Sequence, residues 1–342
     1  MLRSMRLVSE QSEIGWAGAK AGVRADSVFL KRILSRAGVL PFLMLALVVV
    51  FGVLEPRFLA LQNLRTVSIQ AVYLIIVSVA QTIVLISGGF DLSVGASIAL
   101  TSVVTGTVLV AVDPDWLGII KACAAGILVA TVIGMINGAV VSLFLVSPFI
   151  TTLAMMSIAS GAALILSGGV PIFNFPAVFS DMLATGHLFW IPVPWLVAGL
   201  VLLVTYLLMS WSRLGRYLYA VGGNATAAHL SGVPVKISLF FAYLIAGILT
   251  GVDGVMLTAR VGSGEPNLGA SVPLESIAAA VLGGVSLRGG EGNLFGAVLG
   301  AFFLVFLRNG MDLIRISSYV QMVVTGLLLI IAVVADRYTH RR

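Results

Sequence analysis

Soft metal ligands, nucleotide loops and charges are all scarce in this chain. Its single cysteine, Cys123, excludes an intrachain disulfide and a cysteine-built metal cluster, and it lies in an apolar run where a thiol serves as a small buried side chain. The three histidines, His187, His229 and His340, are isolated and form no H-E-x-x-H, so no metal site is assigned. All three fall in expected loops or the C-terminal tail, away from intramembrane nucleophiles. That removes the basis for a hydrolase, and no catalytic residue is assigned. No G-x-x-x-x-G-K-[ST] loop occurs, and GGVSLRGGEG has the glycines of a phosphate loop but no lysine after them. ATP hydrolysis by that route is excluded, and no cofactor is called for. Charged residues are only 10% of the 342 positions against 59% hydrophobic, with a mean hydropathy of +1.11, far from the roughly half-apolar makeup of a soluble domain. The net charge of +6 sits largely at segment ends, where it sets membrane orientation, so no nucleic-acid partner is read from it.

What the chain does have is apolar blocks long enough to cross a bilayer core of about 30 Å as helices, not the ten-residue alternating segments of a barrel. The expected fold is all-α, a polytopic membrane protein of about ten transmembrane helices. The spans fall near 37–54, 66–87, 92–112, 117–146, 149–167, 190–210, 236–258, 273–287, 294–309 and 319–335. Residues 1–36 are polar and basic and the first apolar run follows them, which suits a cytosolic tail and an uncleaved first span, not a secretory signal. The expected organisation is a tail over 1–36, a transmembrane domain over 37–335 with a long loop at about 211–236, and a second cytosolic tail over 336–342. With both termini cytoplasmic, Arg213, Arg216 and Lys236 fall on the positive side, while 113–116 and 168–189 carry no lysine or arginine. Arg57, Arg65, Arg260, Arg308 and Arg315 break that rule.

Within this frame ISGGFDLSVGAS, residues 86 to 97, makes a cytoplasmic-side hairpin. Gly88 and Gly89 permit the turn, and Asp91 or Ser93 is placed to cap the next helix or to serve transport directly. VLGGVSLRGGEGNLFG repeats the arrangement with Gly283 and Gly284, which suggests related halves. The polar groups expected inside the bilayer are mostly neutral: Gln70, Tyr73, Ser78, Gln81 and Thr82 in the second span, Asn137 in the fourth, Thr151, Thr152 and Ser157 in the fifth. At 100° per residue Gln70 and Gln81 lie within about 20° of one another, with Tyr73 on the same face. Two uses are open: lining a path for an uncharged polyol, or bonding neighbouring helices where Gly134 and Gly138 let them approach. Ion-driven carriers keep ionisable groups inside the bilayer, and this reading finds hardly any.

RLGRYLYAVGGNATAAHLSGVPVKI, residues 213 to 237, reads as a surface helix with Leu218, Val221, Ala225 and Ala228 on a modest apolar face, interrupted at Gly222 and Gly223. Ala227 and Ala228 make a small-residue spot where another protein could dock; an ordinary connector is the alternative.

GGFDLSVGA, GMINGAVVSLFLVSPFITTLAMMSIASGAALILSGG, LGRYLYAVGGNATAAHLSGV and IAAAVLGGVSLRGGEGNLFGAVLGAFFLVFLRNGM stand in that order between residues 88 and 311, within a resemblance that covers roughly 40 to 337. In this the chain resembles the permeases of ribose-type ATP-binding cassette importers. The resemblance implies a bacterial inner-membrane subunit that moves a monosaccharide or similar small polar solute. Its implied partners are cassette ATPase subunits, a periplasmic solute-binding protein, a second permease subunit and membrane lipid. It also implies that 213–233 is the segment that meets the ATPase, through Arg213, Gly215, Arg216, Gly222, Gly223, Asn224, Ala227, Ala228, Ser231 and Gly232. Ala225, Thr226 and His229 depart from the family, which commonly has acidic residues at the first two positions and arginine at the third. A secondary carrier is the rival reading.

Overall fold

The structure is a computed structural model that describes residues 40–113 and 115–339. The expected tail over 1–36 and the end of the chain at 340–342 lie outside the described residues. Two units divide the chain between Ala46 and Leu47, and every contact discussed below belongs to the second.

Thirteen α-helices, a short 3-10 helix (Pro56–Leu59) and a two-stranded hairpin are the regular elements of the described residues. In chain order they are α1 (Leu40–Leu54), α2 (Leu61–Ile86), α3 (Val94–Ala111), α4 (Trp116–Leu143), α5 (Pro148–Ser167), α6 (Ala177–Leu183), β1 (His187–Leu188), β2 (Ile191–Pro192), α7 (Val193–Trp211), α8 (Arg213–Gly223), α9 (Ala225–Leu230), α10 (Val235–Val261), α11 (Val272–Leu282), α12 (Leu294–Leu313) and α13 (Ser318–Thr339). Ten apolar helices stand at the ten expected spans. Seven of them, α2 to α5, α7, α10 and α12, are long and apolar enough to cross a membrane, and α1, α11 and α13 supply shorter apolar stretches. The fold is therefore all-α and polytopic.

Boundaries moved where local chemistry ends a helix. The fourth span was expected to reach 146, but α4 stops at Leu143, because Pro148 opens α5 within its first turn and the chain must reverse between them, with Leu145 at a φ of 57°. The eighth was expected to reach 287, but α11 stops at Leu282, where Gly283 caps it and Gly284 turns left-handed.

Helix α2 is the axis of the bundle, with every residue from Ala71 to Ile86 buried. Around it α10 lies against α4 in close backbone contact at Gly247 and Gly251. A Cβ on Gly134 would meet Gly247, and one on Gly251 would meet Ile127, so the two backbones touch without side chains between them. The close approach expected at Gly134 and Gly138 is present, with Gly138 against Phe240. Cys123 is half-buried beside the apolar cluster of Leu109, Ala122, Phe179 and Val255.

Candidate functional site

At one end of the bundle three glycine-rich segments meet. α2 closes with Gly88 N–H donating to the Leu85 carbonyl and Gly89 N–H to the Val84 carbonyl; α11 closes with Gly284 N–H donating to Val281 and Val285 N–H to Ala280. The two terminations are the same six-residue motif, and Gly88 and Gly284 stand at φ values of 85° and 86° that a side chain would strain. The repeat seen in the sequence is thus a repeat of backbone conformation. The second loop folds onto the first through a 2.8 Å bond from Gly290 N–H to the Ile86 carbonyl. α8 completes the junction. A Cβ on Gly222 would fall on the Ile86 carbonyl oxygen and against Gly290, and the Tyr219 hydroxyl donates to the Gly292 carbonyl at 2.9 Å.

Asp91 does not surface in this loop: it is 4% exposed. Nor does it cap α3 in the expected way. Its Oδ1 accepts from the Ser93 N–H (2.9 Å) and the Ser93 hydroxyl (2.6 Å), a turn ahead of the helix, while Ser93 makes no side-chain cap. Burial pushes the Asp91 pKa up, against the two Ser93 hydrogen bonds, which lower it. Asn137 of α4 extends the chain of bonds by donating from Nδ2 to the Ser93 hydroxyl at 2.9 Å. Asn137→Leu removes this donor from a fully buried site. It should cost about 1–3 kcal/mol, read as a fall of several degrees in thermal unfolding; an unchanged midpoint would remove Asn137 from this network.

α8 and α9 stand on the same end. Ser212 accepts from Gly215 N–H to start α8, and Asn224 both ends α8 and accepts from Ala227 N–H to start α9. Leu218, Val221 and Ala228 are buried, as the apolar face required, but Ala225 is exposed. Arg213, Arg216, Gly223, Asn224, Ala227, Ser231 and Gly232 are exposed as well, and Leu230 is 83% exposed. Gly215 is buried against the Leu208 and Met209 carbonyls. A cavity of about 410 Å³ opens beside this element, among Gly88, Gly89, Ser147, Gly222, Asn224, Tyr243 and Arg288.

The neutral residues expected to line a path do not share one cavity. Gln70 and Tyr73 border a cavity of about 250 Å³ between α2, α10, α11 and α12. Gln81 lies deeper, fully buried, with neither end of its amide bonded to protein. Thr82 and Thr152 bond back to Ser78 and Pro148 of their own helices, and the Thr151 hydroxyl is buried without a partner. Asn137 belongs to the Ser93 network.

The sequence reading missed the charged groups around the 250 Å³ cavity. Asp253, Arg260, Glu275 and Arg308 line it together with Gln70 and Tyr73. Arg308 pairs with Glu275 at 2.7 Å, and the Arg260 guanidinium lies 5.0 Å from the Tyr73 ring centroid. The signal was available: Asp253 and Arg260 are seven residues apart and so within about 20° on one helix face. Two more of the arginines that broke the charge rule have side-chain partners away from this cavity: Arg57 pairs with Glu55 at 2.8 Å and Arg65 contacts His187 at 2.7 Å. Among the described residues no group of histidines, cysteines or carboxylates could hold a metal.

The chain is similar to known proteins over most of its length. The family described as branched-chain amino acid transport system / permease component matches residues 63–333. The ribose import permease protein of Bacillus subtilis is 37% identical over 300 residues, covering 87% of this chain and 92% of the relative. The D-allose transport system permease protein of Escherichia coli is 35% identical over 298 residues (86% and 90%), and its L-arabinose transport system permease protein is 33% identical over 324 residues (94% and 96%). No solved structure matches the chain.

Proposed function

The chain belongs to the permease-component family of ATP-binding cassette importers, and from that premise we propose that it forms the membrane path for a monosaccharide or similar small polar solute. It works as one of two similar subunits around a central path, driven by separate cassette ATPase subunits and fed by a periplasmic binding protein. The named solutes of its relatives, ribose, D-allose and L-arabinose, support the solute class. The observation that carries the coupling role is the braced α8–α9 element, held from behind by Gly222 and Tyr219 while Ala227 and Leu230 face outward. Exposed Arg213 and Arg216 on that element, with exposed Lys236 at the start of α10, support a cytoplasmic hairpin end with both termini on the same side. Gln70 and Tyr73 are assigned to the path, and Arg213, Arg216, Asn224, Ala227, Ser231 and Gly232 to the ATPase contact.

The test is reconstitution. Purified alone, the chain should hydrolyse no ATP; with a cassette ATPase and a loaded binding protein it should take up sugar into proteoliposomes. Steady ATP hydrolysis by the chain free of other subunits would overturn the assignment, as would ion-driven uptake without the ATPase.

A further inference from the structure

Asp253 is a carboxylate in the middle of α10, with no exposed surface and with both oxygens free of any protein hydrogen bond. Such a group is costly as the anion unless it takes a proton or something outside the protein meets it. It borders the 250 Å³ cavity, which runs from Asp253 at the buried end to exposed Arg260 and Arg308 at the other, about 10 Å further along α10 by helical rise. The Tyr73 hydroxyl, also on this cavity, is buried and equally unpartnered. Arg260 stacks over the Tyr73 ring and forms no ion pair within the described residues.

The chemistry of the lining decides the class of ligand. Two acidic and two basic side chains balance, so neither a cation, which must pass two arginines, nor an anion, which must reach Asp253, suits the whole cavity. A neutral molecule with several hydroxyls suits it at each point, since one hydroxyl donates to the carboxylate and another accepts from the guanidinium, charge-assisted bonds of the stronger kind. The volume is that of about eight waters, below the range of drug-sized pockets, which fits a small solute. Glu275 and Arg308 already bond each other and hold the wall in place.

We propose that Asp253, Arg260 and Tyr73 form a polyol-binding subsite inside the permease bundle, at the end opposite the glycine junction. The proposal rests on the sugar-importer reading above and adds to it a place where the solute is held within this chain.

The experiment uses the complete transporter in proteoliposomes with radiolabelled D-ribose, D-allose and L-arabinose. Asp253→Asn and Arg260→Gln should each cut uptake at least tenfold, with the ATPase still co-purifying at the wild-type ratio. Thermal unfolding of Asp253→Asn should stay at or above wild type, because a buried unpaired carboxylate is being removed. Wild-type uptake in both variants overturns the subsite and leaves the importer reading intact; no uptake by the wild type of these three sugars or of any other radiolabelled pentose, hexose or polyol overturns the importer reading. A lower unfolding temperature with undiminished uptake assigns Asp253 to the fold and overturns the subsite. So does uptake driven by an imposed proton gradient without ATP and lost in Asp253→Asn, which makes the carboxylate a proton carrier. Tyr73→Phe, which deletes one hydroxyl, guards against poor folding of the first variant. It should lower uptake several-fold at unchanged abundance, and unchanged uptake counts against the site.

Discussion

Gly222→Ala should lower the thermal unfolding midpoint by on the order of 10 °C and deplete the membrane of folded protein, whereas Gly223→Ala should leave both unchanged. The two glycines are neighbours in the last turn of α8, and alanine is the better helix former at either position. Only their surroundings differ. A methyl on Gly222 falls on the Ile86 carbonyl oxygen and against the Gly290 nitrogen, the two atoms joined by the bond that ties the second glycine loop to the end of α2. A methyl on Gly223 meets nothing within 4 Å. Overpacking costs about 1–3 kcal/mol, and breaking the Gly290 bond in the same step leaves a buried carbonyl without its donor, a further 1–3 kcal/mol or so. Circular dichroism or a fluorescence melt in detergent checks both variants. Equal midpoints would mean that the three segments do not meet as described.

Ala227→Trp should abolish co-purification of the ATPase and sugar uptake together while the permease reaches the membrane at normal abundance. The sequence alone pointed equally to Ala227 and Ala228. The structure separates them: Ala228 is buried within the chain, so a tryptophan there would disrupt the permease itself, whereas Ala227 is exposed and can clash only with a partner. A clash in a close contact costs about 1–3 kcal/mol, which weakens a complex about fivefold to more than a hundredfold. Ala225→Glu, on the exposed start of α9, restores the acidity usual in the family and should be tolerated. Full co-purification with Ala227→Trp would move the docking point elsewhere, to the 286–293 loop first.

The spans were legible because each needs only an apolar run, and the surface segment because Leu218 and Val221 are buried on it, although Asn224 splits it into two helices and Ala228 is buried on the second. The glycine pairs could be read as turns, but not as partners, since the bond from Gly290 to Ile86 joins residues about two hundred positions apart and leaves no trace in spacing. Asp91 was misread because a carboxylate beside two glycines looks like a surface turn, whereas helices α4 and α10 pack against this segment, Asn137 bonding Ser93 and the Tyr243 hydroxyl donating to the Phe90 carbonyl. Asp253 was passed over because one acidic residue in a long apolar helix carries little weight alone. Its meaning comes from Arg260, Glu275 and Arg308, contributed by three helices, and that convergence is a tertiary fact.

The glycine junction also bears on how force would travel through the molecule. It grips α2 at Ile86 and holds the loop joining α11 to α12, and those three helices are walls of the charged cavity near their far ends. From Ile86 to Tyr73 is about 20 Å of uninterrupted helix. A push on α8 would therefore be carried toward that cavity by three stiff rods joined at one end, and would be felt against the fourth wall, α10, which carries Asp253 and Arg260.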